Sequence, residues 1–200
     1  MADIVAEAAA HARATYPAGD FPHIVEVVAY AQRLAKTMGA DEEIVTLAAY
    51  FHDISRVTMG PEGHNVKSAE MARDWLRQRG YPAESIERVV QAIVAHMLPV
   101  MSPDRDSVPL EGRILYDADK IGRTQGMALL GALVHLGGEV PWQNLSYEQL
   151  AQAIRGARHV TQEAYESLYT TAAMELARPG YERAIAFCDG LLRTEAFRQE

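Results

Sequence analysis

Apolar residues recur along this chain at offsets of three and four with charged residues between them. No run of alternating β-branched residues breaks that rhythm, so the pattern predicts an all-α fold. The first clear stripe covers about Pro22 to Met38, with Ile24, Val27, Val28, Ala31, Leu34, Ala35 and Met38 on one face, Asp20 before it and Gly39 as its stop. Asp41 is a good cap for a second helix, with Glu42 and Glu43 in the favourable first turn, Ile44, Leu47, Ala48 and Phe51 inward, and an end near Ile54. A loop holds Met59-Gly60-Pro61-Glu62-Gly63. The third helix is expected from about His64 to Arg79, stopped by Gly80, and Pro82 sits just inside the start of a fourth, whose stripe is Ile86, Val89, Val90, Ile93 and Met97.

Pro99 to Pro109 reads as a loop. A fifth helical stretch includes Arg113 to Arg123 and continues, bent at Gly126 or Gly131, to a stop at Gly137-Gly138. From Ser146 to Ala177 the pattern is helical again, Pro179-Gly180 reads as a break, and a closing helix runs through Leu192. There is no internal repeat. At 200 residues the length fits one domain. The segment from about 139 to 200 holds few chemically interesting residues and is expected to be a helical extension for packing or homodimerisation.

Composition narrows the function classes. Hydrophobic residues at 48% and charged residues at 23%, with only 14 glycines and 9 prolines, describe a folded globular chain rather than a disordered one. The formal net charge of −8 argues against long nucleic acid as a partner, since that attraction needs surplus Lys and Arg. A small anionic substrate stays open, because one metal ion or two arginines reverse a local potential. Cys188 is the single cysteine and cannot form an intrachain disulfide; the start MADIVAEAAAHARATY carries Asp3 and Glu7 where a signal peptide would be basic, so a cytoplasmic location is expected. The most apolar stretch, Met127 to Leu136, is too short for a membrane span, which needs about 20 residues.

Against this background several helix positions are unusual. His23 is in register with Val27 and Leu34, His52 lies on or beside the face of Val45, Ala48 and Ala49 with Asp53 next to it, His96 follows Val89 and Ile93, and Asp119 follows Leu115 by one turn. Any one of these, alone, reads best as a hydrogen-bonded core residue or a cap. Several imidazoles and carboxylates at semi-buried positions of successive helices need a cation among them. Histidine and carboxylate donors without cysteine suit Mn, Fe, Co, Ni, Mg or Zn and argue against a thiolate structural site.

The segment HIVEVVAYAQRLAKTMGADEEIVTLAAYFHDISR resembles the opening of an HD-domain metal-dependent phosphohydrolase: a histidine, about thirty residues of two amphipathic helices, then an adjacent His-Asp pair. RILYDADKIG resembles the distal aspartate motif of that superfamily, and GHNVKSAEMARDWL and IERVVQAIVAHM resemble its intervening helices. The resemblance spans roughly His23 to Gly126, so the metal-site core is placed at about 20–126 of a single HD-type domain. It implies that His23, His52, Asp53 and Asp119 bind a divalent metal. Asp117 and Asp119 point about 200° apart on a helix, so only one faces the ion; Ala118-Asp119-Lys120-Ile121 matches the family pattern, which leaves Asp117 as a supporting or surface group. His64 and His96 are candidates for holding a second ion with Asp53 bridging, giving one or two ions per chain. They lie 32 residues apart on two helices expected to form an antiparallel hairpin, which brings the start of one near the end of the other.

A divalent ion with open positions lowers the pKa of a bound water and neutralises phosphate oxygens. The expected activity is therefore hydrolysis of a phosphate ester or anhydride of a small molecule, a nucleotide above all, by metal-activated water. Asp53 is the expected water-positioning group and Arg56, one turn later, the cation for phosphoryl oxygens, with Lys67 and Arg123 as weaker candidates. The rival readings are a binuclear iron oxygenase, which uses the same six His and Asp residues in another branch of the superfamily, and a metal-binding regulatory module without turnover. His11 and His159 read as surface residues, His135 as a core residue or one supporting the metal ligands, and Cys188 as a small buried hydrophobe. Tyr165, Leu168, Tyr169 and Ala172 form a packing stripe. The glycines after Arg123 lack the strand and spacing of a phosphate loop, and Ser55 has no dedicated base.

Overall fold

The computed structural model describes residues 3–60, 62–97, 107–141 and 144–194; these are helical and contain no strand. They divide into two compact units, Met1–Asp119 and Lys120–Glu200. No helix among the described residues is long and apolar enough to cross a membrane.

The first unit opens with α1 (Ile4–Thr15), capped by the Asp3 carboxylate, which accepts from the Val5 and Ala6 amides. Then come α2 (Phe21–Met38), α3 (Glu42–Phe51), α4 (Arg56–Met59), α5 (His64–Gln78), α6 (Ala83–Ala95) and α7 (Leu110–Gly122). The expected stripes face inward: Ile24, Val27, Val28, Ala31, Leu34 and Ala35 of α2, and Ile86, Val89, Val90 and Ile93 of α6, are buried. α3 is buried nearly all round, as its run of Ile44 to Ala49 requires, and it packs against α1, α2, α5 and α6. It is the central strut of the unit.

Three features of this unit depart from expectation. α1 was not anticipated because its buried face is alanine, Ala8 and Ala12, which gives a weak apolar stripe. It is held by aromatic contacts instead: His11 is half-buried against Phe51 and Trp75, ring centroids 5.7 and 5.6 Å away, so it is not the surface residue expected. The loop after Ile54 contains the one-turn helix α4. Met97, counted into the α6 stripe, is 46% exposed because the helix has ended at Ala95. The loop expected over Pro99–Pro109 lies outside the described residues as far as position 106.

In the second unit the helix kinks within Arg123–Met127, where Gln125 and Gly126 leave helical geometry; the Gly126 φ of 98° is open to glycine and strained for other residues. The bend falls at one of the two expected glycines. α8 (Ala128–Glu139), α9 (Tyr147–Glu166) and α10 (Thr171–Leu192) follow, and α9 packs on both α8 and α10. The break expected at Pro179-Gly180 is instead at residues 167–170, where Thr170 caps α10 by accepting from the Ala173 amide. α10 continues through Pro179. Its neighbour Gly180 serves a close approach rather than a break, since a Cβ there would sit 2.6 Å from Gln125 Cγ. Tyr165 stacks on Tyr181 at 4.1 Å, and Cys188 packs with Ile154 and Ala157 as a small buried hydrophobe. His159 is exposed as expected; His135 is exposed, against the core or supporting position expected for it.

Candidate metal centre

The singled-out residues stand at helix ends. His23 is in the first turn of α2, His52 terminates α3, Asp53 follows in the next turn, His64 is the first residue of α5, His96 terminates α6, and Asp119 is near the end of α7. Antiparallel pairing explains why ends so far apart in sequence meet. In α2–α3 the start of the first helix lies beside the end of the second, and α5–α6 repeats the arrangement; the Asn65 side-chain amide donates to the Val94 carbonyl at 3.1 Å across that second pair. α3, touching both α5 and α6, brings the two junctions together.

The result is two triads sharing one carboxylate group's surroundings. His23, His52 and Asp119 offer ligand atoms within 4.8 Å of one another, and so do Asp53, His64 and His96. Asp119 Oδ1 is 3.2 Å from His23 Nε2 and 3.9 Å from His52 Nε2. Asp53 faces both ways: Oδ2 lies 3.9 Å from His52 Nε2, while Oδ1 lies 2.9 Å from His64 Nε2 and 3.7 Å from His96 Nε2. All these residues are buried except His23, whose side chain is 39% exposed and forms the rim. Asp117, two residues from Asp119, is fully buried, which removes the surface alternative for it.

Protonation follows from the local bonds. The His52 Nδ1–H donates to the Ala49 carbonyl at 2.8 Å, and that of His96 donates to the Ile93 carbonyl, so each ring turns its Nε2 inward. Burial pushes the His52 pKa down to about 4, against the opposing pull of Asp53, so the ring is neutral and its Nε2 carries a lone pair. That Nε2 is buried and has no hydrogen-bond partner. It looks at two carboxylate oxygens, both acceptors, each too distant for a hydrogen bond. Burial acts to raise the Asp53 carboxyl, but the imidazoles of His96 and His52 and the Arg56 guanidinium outweigh it and hold it well below the usual carboxylate range. The hydrogen bond to Asp119 raises His23.

A buried lone pair on His52 Nε2 that faces two carboxylate oxygens and has no hydrogen-bond partner costs stability unless a cation occupies the space between them. The donor set therefore fits a divalent ion, and the back-bonds from Nδ1 to main-chain carbonyls are the usual way such imidazoles are oriented.

Arg56 is at this site: its Nη1 donates to Asp53 Oδ2 at 2.9 Å, and with the side chain 47% exposed its other donors face outward. Lys67 is not brought to the cluster; its ammonium is exposed and donates to Glu70 at 2.9 Å. Arg123 is exposed. Behind Asp53 lie Tyr16 and Ser68, which sequence reasoning passed over, and Ser55, which it discounted. Tyr16, buried, donates its hydroxyl to the Tyr50 carbonyl at 3.3 Å and lies next to Asp53, and burial raises its pKa. Ser55 and Ser68 bond to one another and to the His64 backbone. Ser68 sits on the α5 face of His64 and Ala72, and a polar residue on that buried face was the available signal.

A family model described as HD domain matches residues 21–124, just over half the chain. An uncharacterized protein of Clostridium beijerinckii is 30% identical over 105 residues, which cover 50% of this chain and 62% of that protein's length. Among solved structures, Bacillus subtilis YpgQ aligns with a TM-score of 0.75 at 20% identity over 94% of both chains. The same protein in complex with ADP gives 0.72 at 20% identity, over 94% of this chain and 93% of that one. A predicted HD superfamily hydrolase from an uncultured Thermotogales bacterium gives 0.65 at 22% identity, over 93% and 90%. At these identities the likeness is one of fold.

Proposed function

We propose, proceeding from the fact that the chain belongs to the HD domain family, that it hydrolyses a phosphate ester or anhydride of a small molecule, specifically a nucleotide. His23, His52 and Asp119 would hold one divalent ion, and His64 and His96 a second, with Asp53 between them. The observation that carries this reading is the buried, neutral, partnerless Nε2 of His52 facing two carboxylates. A divalent ion held there lowers the pKa of a bound water and neutralises phosphate oxygens.

The chain's own residues supply the rest. Asp53, kept ionised by its neighbours, accepts a hydrogen bond from the attacking water and fixes its direction. Arg56 is anchored through one nitrogen, which leaves its remaining N–H groups to take phosphoryl oxygens and the charge that develops on them. Lys67 contributes only where a bound phosphate draws it away from Glu70. The half-exposed His23 marks the open side by which a small substrate enters, and the net charge of −8 favours a small substrate over long nucleic acid. YpgQ, which shares the fold, has been seen with ADP, and this supports a nucleotide as the substrate class.

The test is a phosphate-release screen over nucleoside mono-, di- and triphosphates with Mn, Mg, Co or Ni added. Release that depends on the metal, stops with a chelator and is lost in His52→Ala is the expected result. No release from any nucleotide with any metal would overturn the assignment, and dioxygen uptake by the iron-loaded protein would turn it toward oxygenase chemistry.

A further inference from the structure

Behind the second triad lies a buried hydroxyl pair with no part in the chemistry above. Ser55 and Ser68 are 1% and 0% exposed, and their oxygens are 3.0 Å apart. The bonds around them admit one assignment of protons. The Ser55 backbone N–H donates to Ser68 Oγ at 3.1 Å. The Ser55 hydroxyl is 2.8 Å from the His64 carbonyl, which can only accept, so the Ser55 proton goes there. The Ser68 proton is then left for Ser55 Oγ, and every donor in the circuit is satisfied.

The circuit joins two segments at a specific place. Ser55 is two residues after Asp53 and one before Arg56, while His64 and Ser68 are one turn apart at the start of α5. Gly63, ahead of His64, provides no side-chain cap, so these bonds are what tie the first turn of α5 to the turn that carries Asp53. The same two segments meet again at the 2.9 Å approach of His64 Nε2 to Asp53 Oδ1.

We propose that Ser55 and Ser68 are positioning residues: their hydroxyl circuit sets the distance between Asp53 and His64 and so tunes the ion affinity of the Asp53–His64–His96 triad. This rests on the reading that the triads hold ions. Partners one step removed from a metal ligand typically govern affinity by about 10–100-fold; the circuit holds the backbone of His64, which belongs to this triad alone, while the other triad is reached only through the shared Asp53.

Threonine and valine at position 55 test this, because they have the same shape and differ only in the hydroxyl. Mn(II) would be titrated into the metal-free whole chain, with His64→Ala and His23→Ala identifying which binding step belongs to which triad. In Ser55→Val the step absent from His64→Ala should weaken by about 10–100-fold, and the step absent from His23→Ala, which shares only Asp53 with the circuit, should weaken clearly less; Ser55→Thr should restore the affected step. Equal affinities in the threonine and valine variants, or equal weakening of both steps, would overturn the proposal and leave the serines as packing residues. If valine does not fold at position 55, Ser68→Ala, which only removes atoms, gives the same readout. A wild-type titration with no step that His64→Ala removes would instead refute the two-ion reading itself, and this proposal with it.

Discussion

Gly112 packs against α6 on the helix that also carries Asp119, and replacing it with alanine has a predictable cost. The residue lies inside α7, seven residues before Asp119 and so on nearly the same face two turns away. An added Cβ would sit 2.7 Å from Ala95 Cβ and 3.4 Å from Val108 Cγ1, with the Ala92 backbone at 3.8 Å. Ordinary carbon contacts are about 3.5–4.0 Å, so the shortfall at Ala95 is about 1 Å. Ala95 has no rotamer with which to yield, and the backbone of α6 or α7 must move. Alanine gains about 1 kcal/mol over glycine in a helix interior, whereas an overpacked methyl costs about 1–3 kcal/mol. The overlap wins, and Gly112→Ala should lose about 1 kcal/mol in urea unfolding, seen as a lower midpoint at constant slope. Mn(II) affinity should fall as well, because moving α7 draws Asp119 away from His23 and His52. A variant that is about 1 kcal/mol more stable, the value of helix propensity alone, would refute the packing argument.

Hydrolysis in ¹⁸O-labelled water should place the label in a phosphate product, since water and no side chain attacks phosphorus; mass spectrometry reads it, and a trapped phosphorylated residue would reverse the expectation. In the metal-free protein His52 binds its proton only near pH 4, while the unfolded chain does so near 6.5. The unfolded state therefore holds more protons between those values, and stability must fall as the pH drops from 6.5 to 4, by up to about 3 kcal/mol. His52→Gln, which does not titrate, should lack that part of the loss; parallel pH curves for the two proteins would contradict it.

Much of the first unit was legible because its helices obey simple rules. The α2, α3 and α6 stripes carry large aliphatic residues at helical spacing, and the hairpin of α5 and α6 followed from Gly80 and Pro82, so the meeting of His64 and His96 could be foreseen. Elements that hold by other means could not. α1 buries alanines and is fastened by His11 stacking on Trp75 and Phe51, contacts between residues dozens of positions apart. Pro179 and Gly180 look like a break in sequence, yet packing against α9 carries α10 through them and Gly180 makes room for Gln125. Ser55 and Ser68 are 13 residues apart and unremarkable in isolation; only the folded chain shows that their hydroxyls close a circuit onto His64.

Metal content is the most direct measure of whether these two triads are what the buried imidazoles are for. The purified chain, His52→Ala and His64→Ala should each be loaded with Mn(II), freed of excess and analysed for bound metal per chain, with far-UV circular dichroism confirming that all three stay helical. Two ions in the wild type, with the first variant losing the ion of the His23–His52–Asp119 triad and the second falling to one, is the expected result. Unchanged metal content in His52→Ala would contradict the account at its centre, because the partnerless Nε2 on which it rests would then hold nothing.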